Sequence, residues 1–243
     1  VSGLTERTDP FFNDQPGVRE AFGPTGPKTC EEAARWFVGF RMQADPGTRF
    51  AYVNMNYCLL SLVIEVVTKL PYDQAVQQLV LSRRGIHDAA LGRSQEPLPR
   101  EVVHLTQPAD QPGGGLFMES LLGAGGWVGT SVDLVRFLDG LDPHKPGAHL
   151  IQPDLYSQLL VPATGNGSSW GLGVEVFGAD TFGHTGSLAG ARGMEQHRAD
   201  GITWAILVNG SFPNHGAQLQ SLMNGAISQI TTWPSYDYGP DLP

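Results

Sequence analysis

The sequence has 243 residues, 31 of them Gly and 18 Pro, about a fifth of the chain against a usual share of roughly 12%, which excludes a helical bundle or a coiled coil. At 41% hydrophobic and 16% charged, it can bury a core and does not have the composition of a disordered chain. A net charge of −9, with Arg83-Arg84 as the only adjacent basic pair, excludes a nucleic-acid footprint.

Residues 1–28 read as an extended lead-in, rich in Pro, Gly, Asp and Asn, with Phe11, Phe12 and Phe22 as anchors. The chain opens on Val1-Ser2-Gly3-Leu4 rather than on Met, a basic stretch and an apolar run, so no signal peptide is read and the opening looks like a cut inside a longer protein. Thr29-Cys30-Glu31-Glu32 is a capping box before a helix with Trp36, Phe37 and Phe40 on one face. Asp45-Pro46-Gly47 marks a turn. The next helix, over 54–69, is expected to be largely buried through Tyr57, Leu60, Ile64 and Val67. Glu65 interrupts its apolar run, which is too short to span a membrane. Pro71 opens a helix that ends at Gly85.

From 86 to 127 the chain loops, divided by Gly113-Gly114-Gly115 and Gly123-Ala124-Gly125-Gly126. No GxxxxGK[ST] or GxGxxG follows a strand there, so a pocket-rim loop fits better than a phosphate cradle. Thr130-Ser131-Val132-Asp133 caps a helix with Val132, Val135, Leu138 and Leu141 inward. Leu172, Val174 and Val176 then alternate as in a strand, and Ile202 to Asn209, apolar on both faces, reads as a central strand joined to its predecessor by the Asp200-Gly201 turn. Leu219, Leu222, Met223, Ala226, Ile227 and Ile230 form the stripe of a helix that covers the sheet. The expected organisation is one structural unit: lead-in 1–28, a helical lobe with active-site loops over 29–165, an antiparallel sheet with its covering helix over 166–230, and a tail over 231–243.

Cys30 and Cys58 lie in no CxxC or Cys/His cluster. They could form one disulfide, but two buried free thiols are the preferred reading. The seven histidines show no HExxH spacing, and no metal or cofactor is expected. Gly167-Ser168-Ser169-Trp170-Gly171 fits GxSxG, but a loop precedes it and a strand follows, whereas a nucleophile elbow joins a strand to a helix. Ser169 is read as part of a small-residue strand entry.

Two short segments carry more. Tyr52-Val53-Asn54 stands where a turn enters a helix, and His184-Thr185-Gly186-Ser187 stands at a strand edge before a hairpin. With Pro46-Gly47-Thr48, Asn56-Tyr57, Ala124-Gly125-Gly126-Trp127 and Trp170-Gly171-Leu172-Gly173 in the same order, the sequence resembles the penicillin-recognising serine hydrolases: class C β-lactamases, D-alanyl-D-alanine carboxypeptidases, D-aminopeptidases and related esterases. Their landmarks are Ser-x-x-Lys, Tyr-x-Asn and Lys/His-Thr-Gly.

The resemblance implies an α/β (α+β) fold of the β-lactamase/transpeptidase type, a mainly antiparallel sheet flanked by helices beside a helical lobe. It implies Tyr52 as base and proton shuttle, and His184 as a proton donor or positive charge. Asn54 would bind the substrate amide or a catalytic side chain, Thr185 the substrate carboxylate or an ester oxygen, Gly186 would stand among the substrate-binding residues, and the Ser187 N–H would form half of an oxyanion hole. A tyrosine with intrinsic pKa near 10 serves as base only beside positive charge. His184 in place of Lys is closer to the carboxypeptidase, D-aminopeptidase and esterase members than to the β-lactamases. Val53 stands where many members carry Ser.

One landmark is missing. The three lysines, Lys28, Lys69 and Lys145, follow Thr25, Val66 and Asp142 by three residues, so the chain holds no Ser-x-x-Lys. Ser2-Gly3-Leu4 resembles the end of the family's stretch after that motif, which places the nucleophile and the first strands upstream and leaves an open sheet edge and an uncovered apolar face. On that reading the parent forms a serine acyl-enzyme and this chain alone does not turn over. The alternative is a non-catalytic binder of peptidoglycan peptides or of a partner. The expected partners are a small-molecule or peptidoglycan-peptide substrate and the chain's own N-terminal segment. The cell envelope or secretion follows from the resemblance alone.

Overall fold

The computed structural model describes residues 9–11, 17–23, 26–102, 117–163 and 168–234. Phe12, Gly113-Gly114-Gly115, Gly167, Ser2-Gly3-Leu4 and the tail beyond 234 lie outside the described residues.

The helical lobe begins with a short α1 (Val18–Phe22) and α2 (Cys30–Phe37). Thr29 caps α2 by accepting from the Glu32 N–H, while Glu32 reaches back to the Lys28 N–H at 2.8 Å, one residue earlier than in a standard capping box. Helix α3 (Met55–Thr68) packs on α2 through Met55 and Cys58, with Phe11, Ala33 and Phe37 in the same cluster.

The cysteines are not free thiols: Cys30 and Cys58 form a disulfide with Cα atoms 5.7 Å apart. Both lie on the shared α2–α3 face at 0% exposure, so the contact that buries the thiols also brings them within bonding reach. The expectation that α3 is largely buried through Tyr57, Leu60, Ile64 and Val67 is also corrected. Met55, Cys58 and Ser61 face inward, whereas Leu60 and Val67 are 52% and 75% exposed and Tyr57 reaches 38%. A helix apolar all round gives no periodic cue to its inner face. Here α2 and the turn at Leu122–Ala124 select it.

Pro71 precedes α4 (Tyr72–Val76), which continues through a π-turn and a 3₁₀ turn to a left-handed Gly85 at φ 62°. A two-stranded ladder pairs β1 (Ala90–Leu91) with β2 (Trp127–Val128), and α5 (Met118–Leu121) lies between them in sequence. The capping box of α6 (Ser131–Leu141) is complete, with Thr130 and Asp133 bonding reciprocally. Leu138 and Leu141 pack with Tyr156 of α7 (Pro153–Leu159), Val174 and Phe182.

The main sheet is antiparallel in the order β3 (Glu175–Gly178), β4 (Thr181–Leu188), β5 (Ala191–His197), β6 (Thr203–Asn209). Two sequence readings change. The strand expected from Leu172 starts only at Glu175, because Gly171–Val174 close a turn with Gly173 at φ 86° and Leu172 outward. Among the described residues Ile202–Asn209 is not central: β6 lies at one edge of the four-stranded sheet and β3 at the other, with Leu207 48% exposed. The Asp200-Gly201 turn joins β5 to β6 as expected, closed by Arg198 N–H to Ile202 O at 2.9 Å.

Helix α8 (His215–Ile227) covers the sheet through Leu219, Met223 and Ile227 against Met194 and Trp204. Its stripe is narrower than expected, since Leu222 and Ile230 are exposed. Helix α6 and α7 cover the other face around Phe182. Among the described residues no helix is long and apolar enough to cross a membrane.

Candidate active site

Tyr52 is held by its neighbour. Val53 is 3% exposed in the α2–α3 core, and in extended chain successive side chains point oppositely, so anchoring Val53 turns Tyr52 outward. Asn54 occupies the N-cap of α3, yet its side chain makes no capping bond. Instead its backbone N–H and Nδ2 both donate to Asp9 Oδ2, at 2.7 and 3.1 Å. Asp9, 2% exposed, also accepts from the Phe11 and Met55 N–H groups. It thereby caps the helix in Asn54's place and satisfies donors that a helix N-terminus leaves open. Burial raises the Asp9 carboxyl above its ordinary range, against the opposing effect of these bonds.

The second half of the site comes from the sheet. On β4, Phe182 is buried against α6 and α7, and strand alternation puts His184 on the same face. The His184 ring lies 4.8 Å from Trp170 and 6.4 Å from Tyr52, centroid to centroid, and Trp170 lies 5.1 Å from Tyr52. Trp170 is fixed by its bridge to Glu175, and Ser169 Oγ donates to Glu175 Oε1 at 3.1 Å. Ser169 therefore sits in a loop tied to β3, without the helix a nucleophile elbow requires. Tyr57 closes the cluster: a Cβ on Gly173 would lie 3.5 Å from its hydroxyl.

His184 Nδ1 lies 2.5 Å from the Thr185 carbonyl. A carbonyl only accepts, so Nδ1 carries the proton and Nε2 is left basic. Burial holds the imidazole pKa below its ordinary value, partly offset by the Thr185 bond and by Glu175. Tyr52 is raised by burial first, then by Tyr57 and Asp9. In this state the site holds a neutral imidazole and a protonated phenol with ring centroids 6.4 Å apart.

Thr185 points to the opposite face of the sheet, where its methyl lies near Gly216 of α8, and Gly186 and Ser187 are exposed. Strand β3 pairs with β4 only up to Gly183. From His184 to Leu188, β4 has β5 on one side and no described strand on the other. An open ladder edge presents backbone N–H groups, the feature an oxyanion hole at Ser187 needs. Sequence reasoning singled out Tyr52 and His184, which the fold brings together. It missed Asp9, Glu175 and the bridging role of Trp170. Asp9 gave no local signal, because its bond to Asn54 spans 45 residues.

An antiparallel sheet between a helix and a helical lobe, with Tyr-x-Asn facing His-Thr-Gly, defines the β-lactamase/transpeptidase class of fold. Residues 2–222 match the family described as Beta-lactamase, and the chain belongs to that family. The chain is 27% identical over 180 residues to a D-aminopeptidase of Gluconobacter oxydans, an alignment covering 69% of this chain and 33% of the relative. Among solved structures it resembles a D-amino acid amidase from Ochrobactrum anthropi complexed with D-phenylalanine (TM-score 0.65, 18% identity, 94% of this chain and 85% of that one). It also resembles a penicillin binding protein from Bacillus halodurans (TM-score 0.64, 20% identity, 82% of this chain and 63% of that one). The chain spans about a third of the length of the curated relatives it matches.

Proposed function

We propose that this chain carries the base and the carboxylate-binding edge of a serine hydrolase that cleaves an amide bond next to a D-configured residue. Its nucleophile would come from a Ser-x-x-Lys segment outside this sequence. The observation that carries the reading is the convergence of Tyr52 and His184 on Trp170, beside the open half of β4. The D-aminopeptidase relatives support an amide as substrate.

In the reaction the serine Oγ attacks the carbonyl carbon and passes its proton to the Tyr52 phenolate. The Ser187 N–H stabilises the oxyanion. Collapse breaks the C–N bond, and the amine leaves with the proton from Tyr52. Water repeats the sequence on the ester, freeing the acid and the serine. His184 supplies positive charge or a hydrogen-bond donor near Tyr52 or the substrate carboxylate. A phenolate requires nearby positive charge, which the family's lysine would provide.

Labelling the full-length protein with a fluorophosphonate, and assaying D- against L-alanine p-nitroanilide, tests the reading. An adduct on an upstream serine with faster D-anilide cleavage is expected; no adduct at any serine overturns it. A second reading, a non-catalytic peptide binder of the same fold, is favoured by one observation: the raised Tyr52 and lowered His184 suit hydrogen bonding to a ligand better than proton abstraction. Unlabelled protein that still binds D-alanyl peptides would establish it.

A further inference from the structure

Helix α8 fills only part of the sheet face it covers. Leu219, Met223 and Ile227 pack with Met194 and Trp204. Strand alternation puts Gln196, two residues after Met194 and opposite Trp204 in the β5–β6 register, on this same face. On its other side Gln196 pairs with Gly183 of β4, which contributes no side chain. An open cleft of about 630 Å³ remains there, lined by Gln220 and Asn224 from the helix and by Phe177, Thr181 and Gln196 from the sheet.

Gln196 is 2% exposed, and what surface it keeps opens on the cleft. Among the described residues its side-chain amide makes no hydrogen bond. Burying a carboxamide unpaired costs free energy that Leu or Met would not, so packing gives no reason for a glutamine here. The Gln220 amide and Asn224 Nδ2 are likewise without a partner among the described residues, while Asn224 Oδ1 accepts from Arg198 Nη1 at 2.7 Å. Three carboxamides with unused bonding capacity therefore line one cleft.

The charged pair lining the cleft is matched internally. Arg198 Nε and Nη2 donate to Asp200 Oδ1 and Oδ2 at 3.1 and 2.6 Å, and these bonds hold the Asp200 carboxyl below its ordinary range. An anion would have to displace Asp200 from the guanidinium, and a cation would have to displace Arg198 from the carboxylate. The cleft therefore suits a neutral ligand. Hydroxyl groups donate and accept at once, as carboxamides do, and Phe177, 37% exposed, offers an aromatic face to C–H groups. An extended peptide instead bonds along a strand edge, whereas these amides stand over a sheet face.

We propose that this cleft binds a neutral saccharide, with the Gln196 amide bonding hydroxyl groups from the floor, Gln220 and Asn224 bonding them from α8, and the Phe177 ring packing on the sugar's C–H face. The volume lies within the range of about 300–1,000 Å³ usual for ligand sites. His184 follows Gly183 on β4 and takes the opposite face, so the cleft is separate from Tyr52, Trp170 and His184. Its occupancy does not depend on the proposed reaction.

The test uses this chain and needs no turnover. Proton–nitrogen NMR follows the side-chain NH₂ resonances of Gln196 and Gln220, assigned with Gln196→Met and Gln220→Ala, during titration with maltose, cellobiose and N,N′-diacetylchitobiose. At least one disaccharide is expected to shift both, and Gln196→Met, which keeps the volume, should weaken that binding about fivefold or more, read at Gln220. Unmoved resonances with every sugar overturn the proposal, as does unchanged binding in a folded Gln196→Met. A sugar that moves the Trp170 indole resonance but not the Gln196 amide occupies the other site and overturns it too. A larger response to N-acetyl-triglycine amide or to glucuronate overturns the ligand class. Should Gln196→Met fail to fold, Gln220→Ala on the surface of α8 takes its place: weakened binding supports the cleft and unchanged binding overturns it.

Discussion

At Tyr52 the local environment and the proposed role pull in opposite directions. Burial, Tyr57 and Asp9 all keep the phenol protonated, so the base must be formed by positive charge brought to it. Replacing Tyr52 with Phe removes the proton carrier and keeps the ring on Trp170. In a protein that supplies the proposed serine, kcat should fall by about 10²–10⁴-fold with the unfolding midpoint nearly unchanged, and wild-type turnover would refute the assignment. Asp9 behaves differently, because it touches Asn54 rather than the reacting atoms. Asp9→Ala leaves the Asn54, Met55 and Phe11 N–H groups without their acceptor, a loss of about 2–4 kcal/mol readable in urea unfolding. Tyr52, Asn54 and His184 were legible because each stands in a short motif with a recognisable flank. Asp9 was not, since a hydrogen bond between distant segments leaves no trace in spacing.

Secondary-structure elements fix what residues alone do not. Gly183 lets β4 run close to β5: a Cβ there would lie 2.0 Å from the Glu195 carbonyl oxygen. Gly183→Ala must push β4 away just before His184, and overpacking of this kind costs about 1–3 kcal/mol. Melting should fall accordingly, and the His184 ring current from Trp170 should change in the NMR spectrum; an unchanged spectrum would mean that the backbone absorbs the methyl locally. The α2–α3 disulfide closes a separation of 28 residues, for which chain entropy gives about 3–4 kcal/mol. Cys30→Ser with Cys58→Ser should lose most of that in denaturant titration.

Helix and strand types were readable here from caps and alternation, as with Thr130 and Asp133 or the Asp200-Gly201 turn. Which face each element buries was less readable. Helix α3 is apolar on all sides and β6 on both, so periodicity cannot distinguish the covered face from the open one.

The two halves of the molecule are joined by a polar cluster. His197 of β5, 2% exposed, accepts or donates through Nδ1 to Thr203 Oγ1 at 2.8 Å and faces Asp142 Oδ2 with Nε2 at 3.4 Å. Because Thr203 Oγ1 donates to Asp139 at 2.5 Å, it can only accept from His197, which assigns the proton to Nδ1. Lys145 completes the clasp, with Nζ 3.3 Å from Asp139 and 2.5 Å from the Gly201 carbonyl. The end of α6 and the chain after it are thus tied to the β5–β6 hairpin.

Burial lowers the His197 pKa from its ordinary 6.5, with Lys145 acting in the same direction and Asp142 and Asp139 against it. A histidine whose folded pKa is depressed binds its proton more readily when unfolded. Its contribution to stability is therefore present above pH 6.5 and is lost as pH falls through the folded value. His184, lowered in the same direction, adds to the loss. The urea midpoint should then fall between about pH 7.5 and pH 5. In His197→Asn, which keeps a polar group at Thr203 but cannot titrate, the midpoint at pH 7.5 should be lower than wild type and its acid-side decline shallower, with His184 supplying what remains. A decline as steep as the wild type's would show that protonation of this clasp does not govern how the helical lobe holds to the sheet.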